Sequence, residues 1–107
     1  MPLSDPTPLI TVPVVPVVTI DRADRAVPLA HALLAGGINV VEITLRTPAA
    51  MEAARAIIAD VSDMIVGIGT VTKTLDVAHA VEARADFLVS PGTPATLAQA
   101  LADAPIP

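Results

Sequence analysis

Glu42, Thr44 and Arg46 occupy alternate positions of the segment Val40-Val41-Glu42-Ile43-Thr44-Leu45-Arg46-Thr47. Side chains alternate along an extended chain, so these three share one face and Val41, Ile43 and Leu45 share the other. A half-exposed strand with one wet face would carry such a pattern at no cost. On a strand covered on both faces, a carboxylate, a hydroxyl and a guanidinium are expensive unless paired or used. On an ideal strand Glu42 and Arg46 lie about 13 Å apart, too far for a direct pair. A ligand, a water network or neighbouring strands must then satisfy them. The chemistry open to this face is that of oxygen and nitrogen groups. The chain has no cysteine, which excludes thiolate chemistry and disulfides alike.

Two further segments add candidate groups. Gly67-Ile68-Gly69-Thr70-Val71 ends an aliphatic run, brings backbone within reach of a ligand and offers the Thr70 hydroxyl. It has neither the GxGxxG nor the GK[ST] pattern of a phosphate loop, and a plain tight turn explains it equally well. Ser90-Pro91-Gly92-Thr93-Pro94 reads as a turn followed by a helix start. All three segments sit where strands end. That is where a barrel or an open α/β sheet builds its site. His31 and His79 fall on the polar sides of helical stretches without acidic or histidine partners at metal spacing, so no metal site is expected.

The elements that must position these residues are legible as two alternating textures. Aliphatic runs stand at Val12–Ile20, Ile38–Leu45, Met64–Ile68 and Ala85–Val89, and Ala- and Leu-rich stretches of helical spacing lie between them. Asp21 is placed to cap the first main helix, whose apolar stripe is Ala26, Val27, Ala30, Leu33 and Leu34; Gly36-Gly37 ends it. Thr47-Pro48 and Thr93-Pro94 each combine a cap with a first-turn proline, and Thr72 or Thr74 suits the cap between them. A short helix around Leu3–Ile10 precedes the first strand. Ala104-Pro105-Ile106-Pro107 reads as the opening of a fifth strand. The result is one α/β domain over residues 1–107, with four strand–helix units whose strands are parallel and adjacent. A flavodoxin-like open sheet and half of a barrel both fit, but nothing marks the reversal of strand order that an open sheet needs.

Composition narrows the function classes. Of the 107 residues 53% are hydrophobic, yet Phe87 is the only aromatic, which suits aliphatic strands covered by helices. A net charge of −5, with cations scattered at Arg22, Arg25, Arg46, Arg55, Lys73 and Arg84, argues against a nucleic-acid partner. The apolar run at Val12–Val18 is too short to span a membrane and holds Pro13 and Pro16. No cationic segment precedes an apolar one at the N-terminus, so a cytoplasmic location is expected.

Taken together, Pro13-Val14-Val15-Pro16-Val17, the Gly36-Gly37 and Val41-Glu42-Ile43-Thr44-Leu45-Arg46-Thr47-Pro48 block, Gly67-Ile68-Gly69-Thr70-Val71 and Ser90-Pro91-Gly92 resemble a known family in order and spacing. That family is the 2-keto-3-deoxy-6-phosphogluconate (KDPG) and 2-keto-4-hydroxyglutarate aldolases, and the resemblance runs from about Val12 to Pro107. It implies a (β/α)8 TIM barrel, trimers, no metal or other cofactor, and a lysine Schiff base with pyruvate. By the same resemblance Glu42 is the general acid/base, Arg46 holds the pyruvate carboxylate with help from Thr70, and the turn at Pro91 lines the pocket. The family's Schiff-base lysine stands on a sixth strand and its phosphate loops follow the seventh and eighth, whereas these residues reach only the start of a fifth. Lys73, the only lysine, sits after the third strand with no setting that would make it a nucleophile. The resemblance thus implies the N-terminal half of an aldolase barrel, inactive by itself. Two other readings are a non-enzymatic half-barrel module whose copies pair, and a barrel enzyme acting on another small phosphorylated substrate.

Overall fold

The computed structural model describes residues 2–107. The chain runs α1 (Thr7–Ile10), β1 (Val17–Val18), a 3-10 turn (Ala23–Arg25), α2 (Ala26–Ala35), β2 (Val40–Thr44), α3 (Ala50–Asp60), β3 (Ile65–Gly69), α4 (Thr74–Glu82), β4 (Phe87–Leu88) and α5 (Ala95–Asp103). The four strands form one sheet in the order β1-β2-β3-β4, parallel at every step. No strand order reverses, so successive right-handed crossovers place the helices on one face of the sheet. The other face is the concave side of a half-barrel.

Val41, Ile43, Val66 and Ile68 form the helix-facing half of the core, packed with Ala26, Ala30, Ala50, Ala53, Ala54 and Ile57. Alanine is the commonest helix residue in this layer. Its small side chain keeps helix and strand backbones close, and the aliphatic strand residues fill the remaining volume. Every residue of β2 is buried, Glu42 and Thr44 included.

The expected β1 run of nine residues contributes only Val17 and Val18 to the ladder. Pro13 and Pro16 have no N–H to donate, and the Pro16 carbonyl still accepts from Glu42 N–H at 2.9 Å. The cap assignments also need correction. Helix α2 starts at Ala26 after the 3-10 turn, and Asp24 pairs with Arg22 at 2.6 Å while Asp21 caps nothing. Pro28 lies in the first turn of α2, where its missing N–H costs no helix bond. Helix α3 starts at Ala50, not Pro48, because the Thr47 hydroxyl is spent on the Ile20 carbonyl. Thr93 likewise bonds Ser90, and Pro94 occupies the cap position of α5. In α4 the cap position is Lys73, and the Asp76 carboxylate accepts from the backbone N–H groups of Thr72 (3.1 Å) and Lys73 (3.3 Å).

The Gly36-Gly37 stop is as expected. Gly37 takes φ +87, its N–H bonds Leu34 O at 2.9 Å, and Ile38 N–H bonds Leu33 O at 2.9 Å. This is the Schellman arrangement, which satisfies carbonyls the helix leaves free. Leu88 N–H donates to Pro107 O at 2.8 Å, and Ile106 is buried. The residues after α5 therefore begin to pair with β4 as a fifth strand would.

Candidate active site

The register aligns Val17, Glu42, Gly67 and Phe87 in one row across the sheet, and Thr44 with Gly69 in the next row toward the C-terminal ends of the strands. These residues belong to the concave face. Glu42 is central to it, 8% exposed. Its carboxyl does not stay over its partner Gly67. A Cβ built on Gly67 would lie 2.5 Å from Phe87 Cε1, so the aromatic ring takes that space. A Cβ built on Gly69 would lie 2.6 Å from Glu42 Cδ, so the carboxyl lies over Gly69, one row further along. No hydrogen bond to the Glu42 carboxyl is found among the described residues. Burial pushes this carboxyl above the usual carboxylate range, and the charge of Arg46 draws it part of the way back.

Thr44 is fully buried. Its hydroxyl donates to Val18 O at 3.2 Å and lies 3.2 Å from the Thr19 hydroxyl. It ties β2 to the end of β1 and is occupied by structure. Arg46 lies two residues beyond the end of β2, not within the strand as the alternation assumed. Strand β2 ends at Thr44, Leu45 N–H still makes the last ladder bond to Gly69 O at 2.9 Å, and Arg46 stands exposed in the following turn. The ideal-strand separation therefore does not apply, and the guanidinium is near enough to act on the Glu42 carboxyl.

Thr70 follows β3 with φ +59, a left-handed conformation that a β-branched residue adopts only under strain. Immediately after it, Val71 N–H rejoins β4 at Val89 O, 3.1 Å away. Pro91 is exposed in the turn after β4, where Ser90 Oγ donates to Gly92 O at 2.8 Å. Arg46, Thr70 and Pro91 thus follow the ends of three consecutive strands, beyond the row that holds the Glu42 carboxyl. Lys73 is exposed at the start of α4, off the sheet.

Asp86 drew no notice in the sequence. It is 9% exposed, its carboxylate accepts from Val66 N–H at 2.8 Å, and burial raises its proton affinity against that bond. It lies at the opposite, N-terminal end of the sheet. A carboxylate between Ala85 and Phe87 in an apolar run was the available signal. A cavity of about 550 Å³ also opens at that end, lined in part by Arg55, Met64, Arg84 and Asp86, away from Glu42.

The model of the KDPG and KHG aldolases matches residues 7–107. The 2-dehydro-3-deoxy-phosphogluconate aldolase of Dickeya dadantii is 48% identical over 95 residues, which is 89% of this chain and 45% of that protein. The KHG/KDPG aldolase of Escherichia coli K12 is 46% identical over 99 residues, covering 92% of this chain and 46% of its own length. Among solved structures, the KDPG aldolase of Legionella pneumophila, with pyruvate captured as a covalent carbinolamine, superposes with a TM-score of 0.85 at 43% identity. That match covers 89% of this chain and 46% of the other. The chain spans about half the length of the relatives it matches. No helix among the described residues is long and apolar enough to cross a membrane. The four parallel strands, the Glu42 row on their concave face and these matches together establish that the chain belongs to the KDPG and KHG aldolase family, with its TIM-barrel-type fold.

Proposed function

We propose that these residues form the first half of an aldolase barrel that cleaves a 2-keto-4-hydroxy acid, such as 2-dehydro-3-deoxy-6-phosphogluconate, to pyruvate and an aldehyde. The observation that carries the reading is the Glu42 carboxyl on the concave face, largely buried and without a hydrogen-bond partner among the described residues. A carboxyl with raised proton affinity is better matched to giving and taking protons in turn than one of ordinary acidity. In this reading a lysine on a strand beyond these four attacks the keto carbon. Glu42 protonates the carbinolamine hydroxyl so that it leaves as water, giving an iminium. Glu42 then accepts the C4 hydroxyl proton, the C3–C4 bond breaks, the aldehyde departs and an enamine remains. Protonation at C3 and hydrolysis release pyruvate. Arg46 holds the substrate carboxylate as a charge-assisted pair, Thr70 adds a hydroxyl beside it, and Pro91 lines the wall.

Lys73 is no substitute nucleophile, since its amine is in water at a helix start, with nothing to desolvate it. The 107-residue chain with pyruvate and borohydride should show no mass increase. A stable pyruvyl adduct on Lys73 would overturn this part of the reading. A full-length barrel carrying these residues as its first half should form the adduct and cleave the keto acid. A full-length barrel that binds pyruvate without borohydride-trappable imine would refute the aldolase assignment. The second reading, a half-barrel module that pairs with its own copies, is favoured by Val17 and Val89, 58% and 38% exposed on the sheet.

A further inference from the structure

Strand β3 presents no side chain to the concave face at either of its last two inward positions, Gly67 and Gly69. Glycine weakens a strand, both by its freedom in the unfolded chain and by leaving nothing to pack. Two at consecutive same-face positions call for a reason. Both have negative φ, so neither is required by backbone conformation. The reason is space. At Gly67 an added Cβ would meet the Phe87 ring, with Cε1 at 2.5 Å and two further ring atoms closer still, and at Gly69 it would meet Glu42 Cδ at 2.6 Å and Cγ at 2.9 Å, all closer than real Cβ atoms approach. The ring and the carboxyl lie side by side on a bare strip of backbone. Because the ring takes the Gly67 place, opposite Glu42 in the register, the carboxyl is displaced by one pleat repeat, about 6.6 Å, toward the strand ends.

We propose that Gly67 and Gly69 are positioning residues: the bare face of β3 takes the Phe87 ring at Gly67 and the Glu42 carboxyl at Gly69, which turns the carboxyl toward the rim where Arg46, Thr70 and Pro91 stand. The functional part of this inference rests on the reading of Glu42 as the proton-transfer group. Ring and carboxyl also shape each other's surroundings. With β3 as floor and the ring as its neighbour, the carboxyl is shielded over part of its surface although the concave face is open.

The test is a cycle of Gly69→Ala and Glu42→Asp in a full-length barrel carrying these residues, followed by kcat, KM and thermal melting. Aspartate is one methylene shorter and withdraws its carboxyl from Gly69. With Glu42 in place, Gly69→Ala should lower kcat about 100-fold with KM changed less than about threefold, the scale of a misplaced catalytic group. In the Glu42→Asp background the same methyl should cost less than about threefold, so the two changes are strongly non-additive. The melting temperature should show the same coupling. Equal losses from Gly69→Ala in both backgrounds would overturn the proposal, since the glycine would then serve the backbone and not Glu42. If Gly69→Ala fails to fold, a folded double variant supports the proposal and an unfolded one overturns it. A fully active Glu42→Gln variant would remove the proton-transfer reading alone, while the melting cycle would still decide whether Gly69 makes room for the Glu42 side chain.

Discussion

Glu42 has opposite consequences for stability and for chemistry. Its folded carboxyl binds a proton more tightly than it would in the unfolded chain, because burial outweighs the pull of Arg46. Between the unfolded and the raised folded values the native state holds more protons, so stability falls as pH rises through that window. At a pH below the ordinary carboxylate range the effect vanishes, since Glu42 is protonated in both states. Replacing it with glutamine should therefore stabilise the fold at pH 7 and make little difference at about pH 3, below the ordinary carboxylate range. Thermal melts at the two pH values check this, and a pH-independent difference would contradict it. In a full-length barrel the same Glu42→Gln change should lower turnover by about 10²–10⁴-fold while pyruvate binding changes little. Arg46→Ala should do the reverse, weakening the keto acid by roughly 10- to 100-fold as a charge-assisted bond is lost. Steady-state kinetics with the opposite partition would mean the two roles are exchanged. Sequence alternation put Glu42 on the face where the structure has it, because period two holds inside a five-residue strand. It carried the strand too far, because nothing in the pattern shows that β2 stops at Thr44, two residues before Arg46. The Glu42–Gly69 relation was invisible for another reason. It is cross-strand: the register pairs residue 42 with residue 67, and the side chain then leans one row on, over residue 69.

Each strand was announced by its aliphatic run and each helix by its spacing, but the boundaries moved wherever a side chain had a stronger partner elsewhere. Thr47 and Thr93 are good cap residues by type, yet their hydroxyls go to Ile20 O and to Ser90. Local capping preference is worth about 1 kcal/mol, little enough for a tertiary hydrogen bond to override. Glycine at a helix stop was a stronger signal, since few residues tolerate φ +87. Helix α4 ends in the same way without glycine: Arg84 takes φ +66, its N–H bonds Val81 O at 3.0 Å, and Ala85 N–H bonds Ala80 O at 3.1 Å. Arg84→Gly should accordingly stabilise the chain by about 0.5–1 kcal/mol, the left-handed strain relieved less the extra freedom of glycine when unfolded. Urea titration reads the change, and a destabilisation would mean that Arg84 makes a contact worth more than its strain. At the start of β4, Asp86→Ala removes the acceptor for Val66 N–H and should cost about 1–3 kcal/mol by leaving a buried donor unpaired. An unchanged urea midpoint would show that water takes the place of the carboxylate.

At the scale of the whole molecule, one face of the sheet is finished and the other is open. The helix side holds the aliphatic core, while the concave side holds the Glu42 row, with Val17 exposed at its β1 end and Val89 exposed after β4. Both sheet edges also offer unpaired backbone groups, although Pro107 has begun to cover that of β4. Apolar surface and open strand edges of this kind drive association, so the 107-residue chain should self-associate at micromolar concentration, in even-numbered species if half-barrels close on each other. Light scattering that reports a monomer, with no hydrophobic dye bound, would show that the four units close their own core. Half a barrel explains why the sequence carried so much of the fold and only part of the site. Four βα units are each locally encoded, whereas a barrel site is assembled from the ends of many strands. The most direct test of the central claim, that Glu42 is the proton-transfer group of an aldolase, is exchange of the pyruvate methyl hydrogens with deuterated water, followed by proton NMR on a full-length barrel and its Glu42→Gln variant. That exchange needs the enamine and a group that moves protons, but no aldehyde. The expected result is exchange slowed by at least about 100-fold in the variant, with the borohydride-trapped pyruvate adduct still formed. Exchange at the parent rate in the Glu42→Gln protein would contradict the role given to Glu42.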